Sequence, residues 1–178
     1  MDLQEFKPII EALIFTSPSP IKPQKIADIV DEEGIGKQSI KDMIEELNEE
    51  YELEDRGFKI YKMAGGYEFR SNPEYGKYLK KLFSIKKDYK LSKSVLETLA
   101  IVAYNQPVTR MEVEMVRNVD STYVLNKLID LEMIKVVGQK DSPGRPLLYG
   151  TTSKFLEYFG LDSLSDLPEL SEIEEDIG

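Results

Sequence analysis

Apolar residues recur at helical spacing from the start of the chain. Phe6, Ile9, Ile10, Leu13 and Ile14 share one face of a segment that SPSP, residues 17–20, breaks. Pro23 suits the first position of a second helix, PQKIADIV. A third follows the turn DEEGIG, with Ile40, Met43, Ile44 and Leu47 on one face of KQSIKDMIEELNEEYEL. The period then changes. In GFKIYKMAGGYEFRS, Phe58 and Ile60 alternate with Lys59 and Tyr61, and a turn is expected at Gly65-Gly66, the pattern of a β-hairpin. NPEYGKYLKKLF returns to helical spacing, with Tyr75, Tyr78, Leu79, Leu82 and Phe83 as an apolar face and lysines on the solvated side.

The same order repeats. LSKSVLETLAIVAYNQ predicts a helix with Ser94 and Glu97 at capping-box spacing, and TRMEVEMV opens on Thr109 and Glu112 at that spacing. After the tight turn NVD, Asp120 is placed to cap STYVLNKLIDL, whose apolar face is Val124, Leu125, Leu128, Ile129 and Leu131. MIKVVGQ and PLLYG read as strands around the loop KDSPGR. TTSKFLEYFG reads as a short helix with Thr152 as its cap and Gly160 as its stop. Pro20-Ile21 of the first copy corresponds to Pro107-Val108 of the second. Three helices and a hairpin, twice, is the arrangement of two tandem winged-helix domains, mainly α with small β-hairpins (α+β). The expected boundaries are 1–84 for the N-terminal domain, 85–91 for a linker, 92–161 for the C-terminal domain and 162–178 for a disordered acidic tail.

Charge sharpens this division. Residues 162–178 hold seven acidic and no basic residues of a chain whose net charge is −10. The body is nearly neutral, with 15 basic and 18 acidic residues up to 90, and eight of each over 91–161. Cysteine and histidine are both absent, which excludes disulfides, thiolate or histidine zinc sites and Ser-His-Asp triads. GIGK at 34–37 departs from a phosphate loop, with Asp31 where a glycine is needed and Gln38 where Ser or Thr is needed. SIKK at 84–87 has the S-x-x-K form but no companion motif. No catalytic, cofactor-binding or metal-ligating residues stand out, so neither an enzyme nor a small-molecule substrate is expected. No apolar run approaches the roughly 20 residues of a membrane span. The start MDLQEFKPII lacks the layout of a signal peptide, so a cytoplasmic protein without membrane association is expected.

Winged helices often read DNA through the third helix, which makes a DNA-binding transcriptional regulator the alternative reading. The charges oppose it. Residues 37–52 set Lys37 and Lys41 against Asp42, Glu45, Glu46, Glu49, Glu50 and Glu52, and 120–132 sets Lys127 against Asp120, Asp130 and Glu132. The lysine-rich stretch 77–90, interleaved with Tyr78, Phe83 and Tyr89, leaves room for at most weak non-specific nucleic-acid contact.

Particular stretches carry a resemblance. With ETLAIVAYNQPVTR at 97–110, VDS at 119–121, GRPLLYGTT at 144–152, FLEYFGLDSLSDLP at 155–168 and EALIF at 11–15, the chain resembles the segregation and condensation protein B family of bacteria. The family often has a glycine where Asn118 stands, and asparagine tolerates the left-handed backbone of such a turn. The resemblance implies a non-enzymatic role in chromosome condensation and partition during cell division, in the cytoplasm at the nucleoid. It also implies a homodimer formed through the N-terminal domain. The implied partner is the kleisin subunit, segregation and condensation protein A, whose middle segment contacts the C-terminal domains, and through it the structural-maintenance-of-chromosomes (SMC) ATPase.

For such an adaptor the candidate partner contacts are Tyr104, Arg110, Asp120, Ser121, Arg145 and Tyr149. Several have a structural explanation as well: Asp120 caps a helix, Tyr104 ends one and Tyr149 pairs across the wing. Dimer contacts are expected at Phe6, Ile9, Ile10, Leu13 and Ile14. Arg145 stands at the wing tip with no internal partner in the sequence, and Pro146 suits an edge strand, where a missing N–H costs little.

Overall fold

The computed structural model describes residues 3–31, 34–82 and 91–169. Phe83, SIKK at 84–87, the lysines of 86–90, Tyr89, most of the expected linker and residues 170–178 of the expected tail lie outside the described residues. The described residues form two compact units, one from residues up to 82 with 160–169, the other from 91–159.

In the first unit, helices α1 (Lys7–Thr16), α2 (Pro23–Val30) and α3 (Lys37–Leu53) precede strands β1 (Phe58–Met63) and β2 (Gly66–Ser71) and helix α4 (Gly76–Leu82). Pro23 opens α2 as expected, and Asp31 ends it in a left-handed conformation. Ile10, Ile14, Ile26, Ile40 and Ile44 are at most 1% exposed, and Ile60 and Tyr67 of the hairpin close this core. Each such isoleucine contributes roughly 1.5–3 kcal/mol by leaving water. This corrects the reading of the α1 face as dimer contacts. Phe6, Ile10 and Ile14 are spent on the unit's own core, Leu13 packs half-buried against it, and Ile9 alone of the five is exposed.

The hairpin turns at Ala64-Gly65, both with positive φ, one residue before the expected position. Gly66 instead pairs with Met63 in the ladder. A Cβ on Gly66 would lie 2.7 Å from the carbonyl carbon of Pro20, so the close passage of that backbone demands glycine. The passing segment is itself paired: Ile21 and Tyr67 exchange N–H···O bonds of 3.0 and 2.9 Å. The expected apolar face of α4 is not buried, since Tyr78 and Leu82 are 57% and 73% exposed on this two-turn helix.

The start of the expected disordered tail is a second correction. Leu161 O accepts from Ala64 N–H (2.9 Å), Asp162 Oδ1 from Gly65 N–H (3.0 Å), and Asp162 Oδ2 pairs with Lys62 Nζ (2.6 Å). Leu164–Asp166 then forms a 3₁₀ turn closed by a capping box between Ser163 and Asp166. The acidic side chains here take up backbone N–H groups instead of repelling one another.

In the second unit, α5 (Lys93–Asn105) starts after Ser92, whose side chain makes no capping bond, and Ser94 lies inside the helix, its hydroxyl accepting from Arg117 Nη2 (2.8 Å). A two-residue strand β3 (Val108–Thr109) leads into α6 (Arg110–Arg117), where the expected Thr109–Glu112 capping box is formed. Asn118 ends α6 at φ +54°, the left-handed turn expected of it. Then come α7 (Thr122–Asp130), β4 (Ile134–Gln139), β5 (Leu147–Thr151) and α8 (Ser153–Phe159), with Thr152 Oγ1 accepting from Phe155 N–H. The core gathers Val95, Leu99, Val102, Val113, Leu125, Leu128, Ile134 and Phe155. Strand order is β3-β5-β4, antiparallel throughout. The returning strand is therefore central, not an edge. Pro146 is tolerated because it lies just before β5, where its carbonyl accepts from Lys140 N–H. Val108 pairs with Tyr149 as Ile21 pairs with Tyr67, so both copies tie the stretch before a helix to an aromatic residue of the wing.

Candidate partner-binding site

Helices α6 and α7 are joined by a polar chain. Arg110 Nη1 donates to Thr122 Oγ1 (3.0 Å), and its Nε lies 3.6 Å from Glu114 Oε1 one turn on. Thr122 in turn donates from its N–H and hydroxyl to the carboxylate of Asp120 (3.1 and 3.3 Å), which places Asp120 at the start of α7 as a capping group. Ser121 is wholly buried. Its N–H donates to Glu114 Oε1, its hydroxyl donates to Val119 O, and Arg117 Nη1 donates to it. Ser121 is thereby removed from the partner contacts: its polar atoms are consumed inside the turn. Tyr104 is half-buried in the last turn of α5.

The wing is anchored by Glu112. Its Oε2 accepts from Thr109 N–H (2.8 Å) and its Oε1 from Lys140 Nζ (2.5 Å). The Lys140 ammonium, followed by the bonds from Thr109, pulls the Glu112 pKa down to about 2. At the tip, Ser142 to Arg145 form a turn with Pro143 and Gly144 at its centre, Gly144 at φ +81° and Arg145 N–H donating to Ser142 O (2.8 Å). Arg145 itself sits at φ +41°, a conformation that a non-glycine residue holds at a cost. Its exposed guanidinium makes no hydrogen bond or ion pair with the described residues.

Between α6, α7 and this turn lies a groove of about 410 Å³, lined by Arg110, Met111, Leu125, Pro146, Leu147 and Tyr149 among others. Arg110, Tyr149 and the residues flanking Arg145 therefore come together, while Asp120 stands beside the groove in the turn. Tyr149 is 9% exposed and held in the central strand, so it serves as floor. Sequence reasoning missed a set of exposed apolar residues in this helix-turn-helix: Met111 and Met115 on α6, Val119 in the turn and Tyr123 on α7 are 64%, 78%, 52% and 74% exposed. Met111 and Met115 lie one turn apart on α6, and the signal was that α6 buries only Val113 in the core.

The first unit has its own apolar groove, about 610 Å³, lined by Pro8, Ala12, Phe15, Phe58 and Phe69 with Glu11 and Arg70. Phe15 is 75% exposed and meets the ring of Phe69 edge-on at 6.1 Å. Among the described residues, no group of three or more carboxylates could hold a metal ion. No described helix is long and apolar enough to cross a membrane.

Two helix-turn-helix units, each closed by a β-hairpin, make this a tandem winged-helix protein in class. A family model described as "Segregation and condensation complex subunit ScpB" matches residues 8–170. Segregation and condensation protein B of Syntrophotalea carbinolica is 45% identical over 175 residues, 98% of this chain and 87% of that protein. The Bacillus cereus protein of that name is 44% identical over 176 residues, 98% and 91% of the two chains. The chain belongs to the segregation and condensation protein B family, as its motifs led us to expect. Among solved structures, ScpB from Mycobacterium tuberculosis is 28% identical at a TM-score of 0.43, covering 90% of this chain and 98% of that one. A dimer of the ScpB N-terminal domain complexed with ScpA peptide is 30% identical at a TM-score of 0.41, covering 45% and 96%.

Proposed function

We propose that this chain is a non-enzymatic adaptor of a bacterial condensin-like complex. It acts as a homodimer that binds the kleisin subunit, segregation and condensation protein A, and through it serves the SMC ATPase in chromosome condensation and partition. This places it in the cytoplasm at the nucleoid. Family membership supports the reading, and the observation that carries it to this molecule is the exposure of Met111, Met115, Val119 and Tyr123 in the second helix-turn-helix, which suits a protein partner. Self-association uses the exposed side of α1 at Phe15, with Phe58 and Phe69 lining the same groove, since the opposite side of that helix is core. Partner contact falls to Arg110, Arg145 and the rim of the groove, with Tyr149 as its floor.

The test is a mass measurement. The chain is mixed with the kleisin subunit from the same genome and analysed by light scattering. Two copies joined to kleisin are the expected species. The competing reading, a DNA-binding regulator, requires tight sequence-selective DNA binding at about 150 mM salt. That result without a kleisin complex overturns the proposal. Against it stands α3, where six carboxylates face Lys37 and Lys41 and would repel phosphates.

A further inference from the structure

Helix α4 presents a basic and apolar surface that the described part of its unit leaves uncovered. Lys77, Lys80 and Lys81 are exposed, and none of them forms an ion pair or hydrogen bond with a described residue. Lys77 lies over the ring of Tyr78, 4.9 Å from its centroid. Tyr78 and Leu82, one turn apart and so neighbours on the helix surface, are 57% and 73% exposed. Leu79 alone of the apolar side chains on α4 turns partly inward. A helix of seven residues draws its stability from what packs against it, so this face suits a cover.

The same unit holds the root of a segment of opposite charge. Leu161 O and the Asp162 carboxylate are bonded to the turn and to Lys62 of the first wing, and the capping box of Ser163 and Asp166 follows. Past Glu169 the sequence reads LSEIEEDIG, with Glu172, Glu174, Glu175 and Asp176 and no basic residue. Leu170, Ile173 and Ile177 recur among them at helical spacing. These residues lie outside the described ones, but chain length sets their reach. Residues 170–177 extend to about 26 Å, and a unit of roughly 90 residues has a radius of gyration of about 12 Å. The span of the segment is thus comparable to the width of the unit it is rooted in. A nucleic acid matches the lysines too, but it must compete with a carboxylate segment tethered to the same unit at an effective concentration on the order of millimolar.

We propose that the acidic–apolar segment 170–177 docks on α4 of its own chain. Its carboxylates pair with Lys77, Lys80 and Lys81, and Ile173 and Ile177 cover Tyr78 and Leu82. The contact keeps these lysines from non-specific polyanions. It stands independently of the adaptor reading.

The full chain is treated with a zero-length carbodiimide, which joins an amine to a carboxylate only where the two meet, and the linked peptides are read by mass spectrometry. Links from Lys77, Lys80 or Lys81 to residues 172–176 are expected. When isotopically light and heavy chains are mixed in urea and refolded together, each link should join peptides of one label. Ile173→Ser combined with Ile177→Ser leaves every charge in place, so a change it causes is not bulk electrostatics. This variant should lose most of the links and bind a short single-stranded DNA roughly tenfold more tightly at low salt. Adding Lys80→Gln and Lys81→Gln should abolish that gain. Both lysines are exposed, so the melting temperature stays in place. Links spread over the chain's lysines without favouring α4 overturn the proposal. So does a double-serine variant that links and binds DNA as the wild type does. Links that join the two labels assign the segment to a second copy and overturn it likewise.

Discussion

Glu112 accepts a 2.5 Å hydrogen bond from Lys140, and the same carboxylate closes the capping box of α6 through Thr109. One side chain thus ties the start of the exposed helix to the beginning of the wing loop. Its pKa, lowered from 4.5 to about 2, makes this arrangement sensitive to acid. A carboxylate with a depressed folded pKa contributes stability that is complete above its unfolded pKa and is lost as pH falls towards the folded one. The melting temperature of the wild type should therefore fall more steeply between about pH 4.5 and 2 than that of Glu112→Gln. Parallel pH-dependent slopes for the two proteins would show that the Lys140 pair contributes nothing.

The two sides of α1 should separate on substitution. Ile10→Ala opens a cavity in the three-helix core and should cost about 2–5 kcal/mol in urea unfolding. Ile9→Ala and Phe15→Ser touch exposed positions and should change stability by no more than about 0.5 kcal/mol. Phe15→Ser should nonetheless lower the mass measured by light scattering towards that of a monomer. An unchanged mass would move the dimer contact off this face.

Gly66 and Gly76 form a second contrasting pair. Gly66→Ala drives a Cβ into the Pro20 backbone, which cannot swing aside as a side-chain tip would, and should destabilise by about 1–3 kcal/mol. A Cβ on Gly76 meets nothing within 4 Å at the first position of α4, and Gly76→Ala should be neutral or stabilising by up to about 1 kcal/mol. Equal thermal stabilities for the two variants would contradict the close passage at Gly66.

The repeat was readable because the hydrophobic period switches twice from helix to hairpin, and because Pro20-Ile21 and Pro107-Val108 hold the same place in each copy. What periodicity could not say is which partner an apolar face meets: Phe6, Ile10 and Ile14 have the spacing of an interface and of a core alike. The central position of β5 depends on Val108 and Thr109, a strand too short to show any alternation. Asp162 and Asp166 misled in another way. Their composition predicts mutual repulsion, yet each carboxylate accepts backbone N–H donors, from Gly65 for Asp162 and from Asp162 and Ser163 for Asp166, and such bonds depend on the tertiary fold. The family motifs, by contrast, were local, and they marked the unit that holds the groove.

Arg145 allows backbone and side chain to be told apart. Its φ of +41° is a conformation glycine adopts freely, so Arg145→Gly should relieve strain. Part of the gain is offset because glycine adds freedom to the unfolded chain, leaving a net stabilisation of up to about 1 kcal/mol. Arg145→Ala keeps a Cβ at the same φ and should leave the urea midpoint where it is. Both variants lose the guanidinium and should lose kleisin affinity equally. A residue retained for wing geometry alone would behave differently: Arg145→Gly would keep its affinity, because the turn survives and only the charge is gone. Urea unfolding and calorimetric titration of the two variants side by side therefore decide whether this strained arginine is held for its backbone or for the partner.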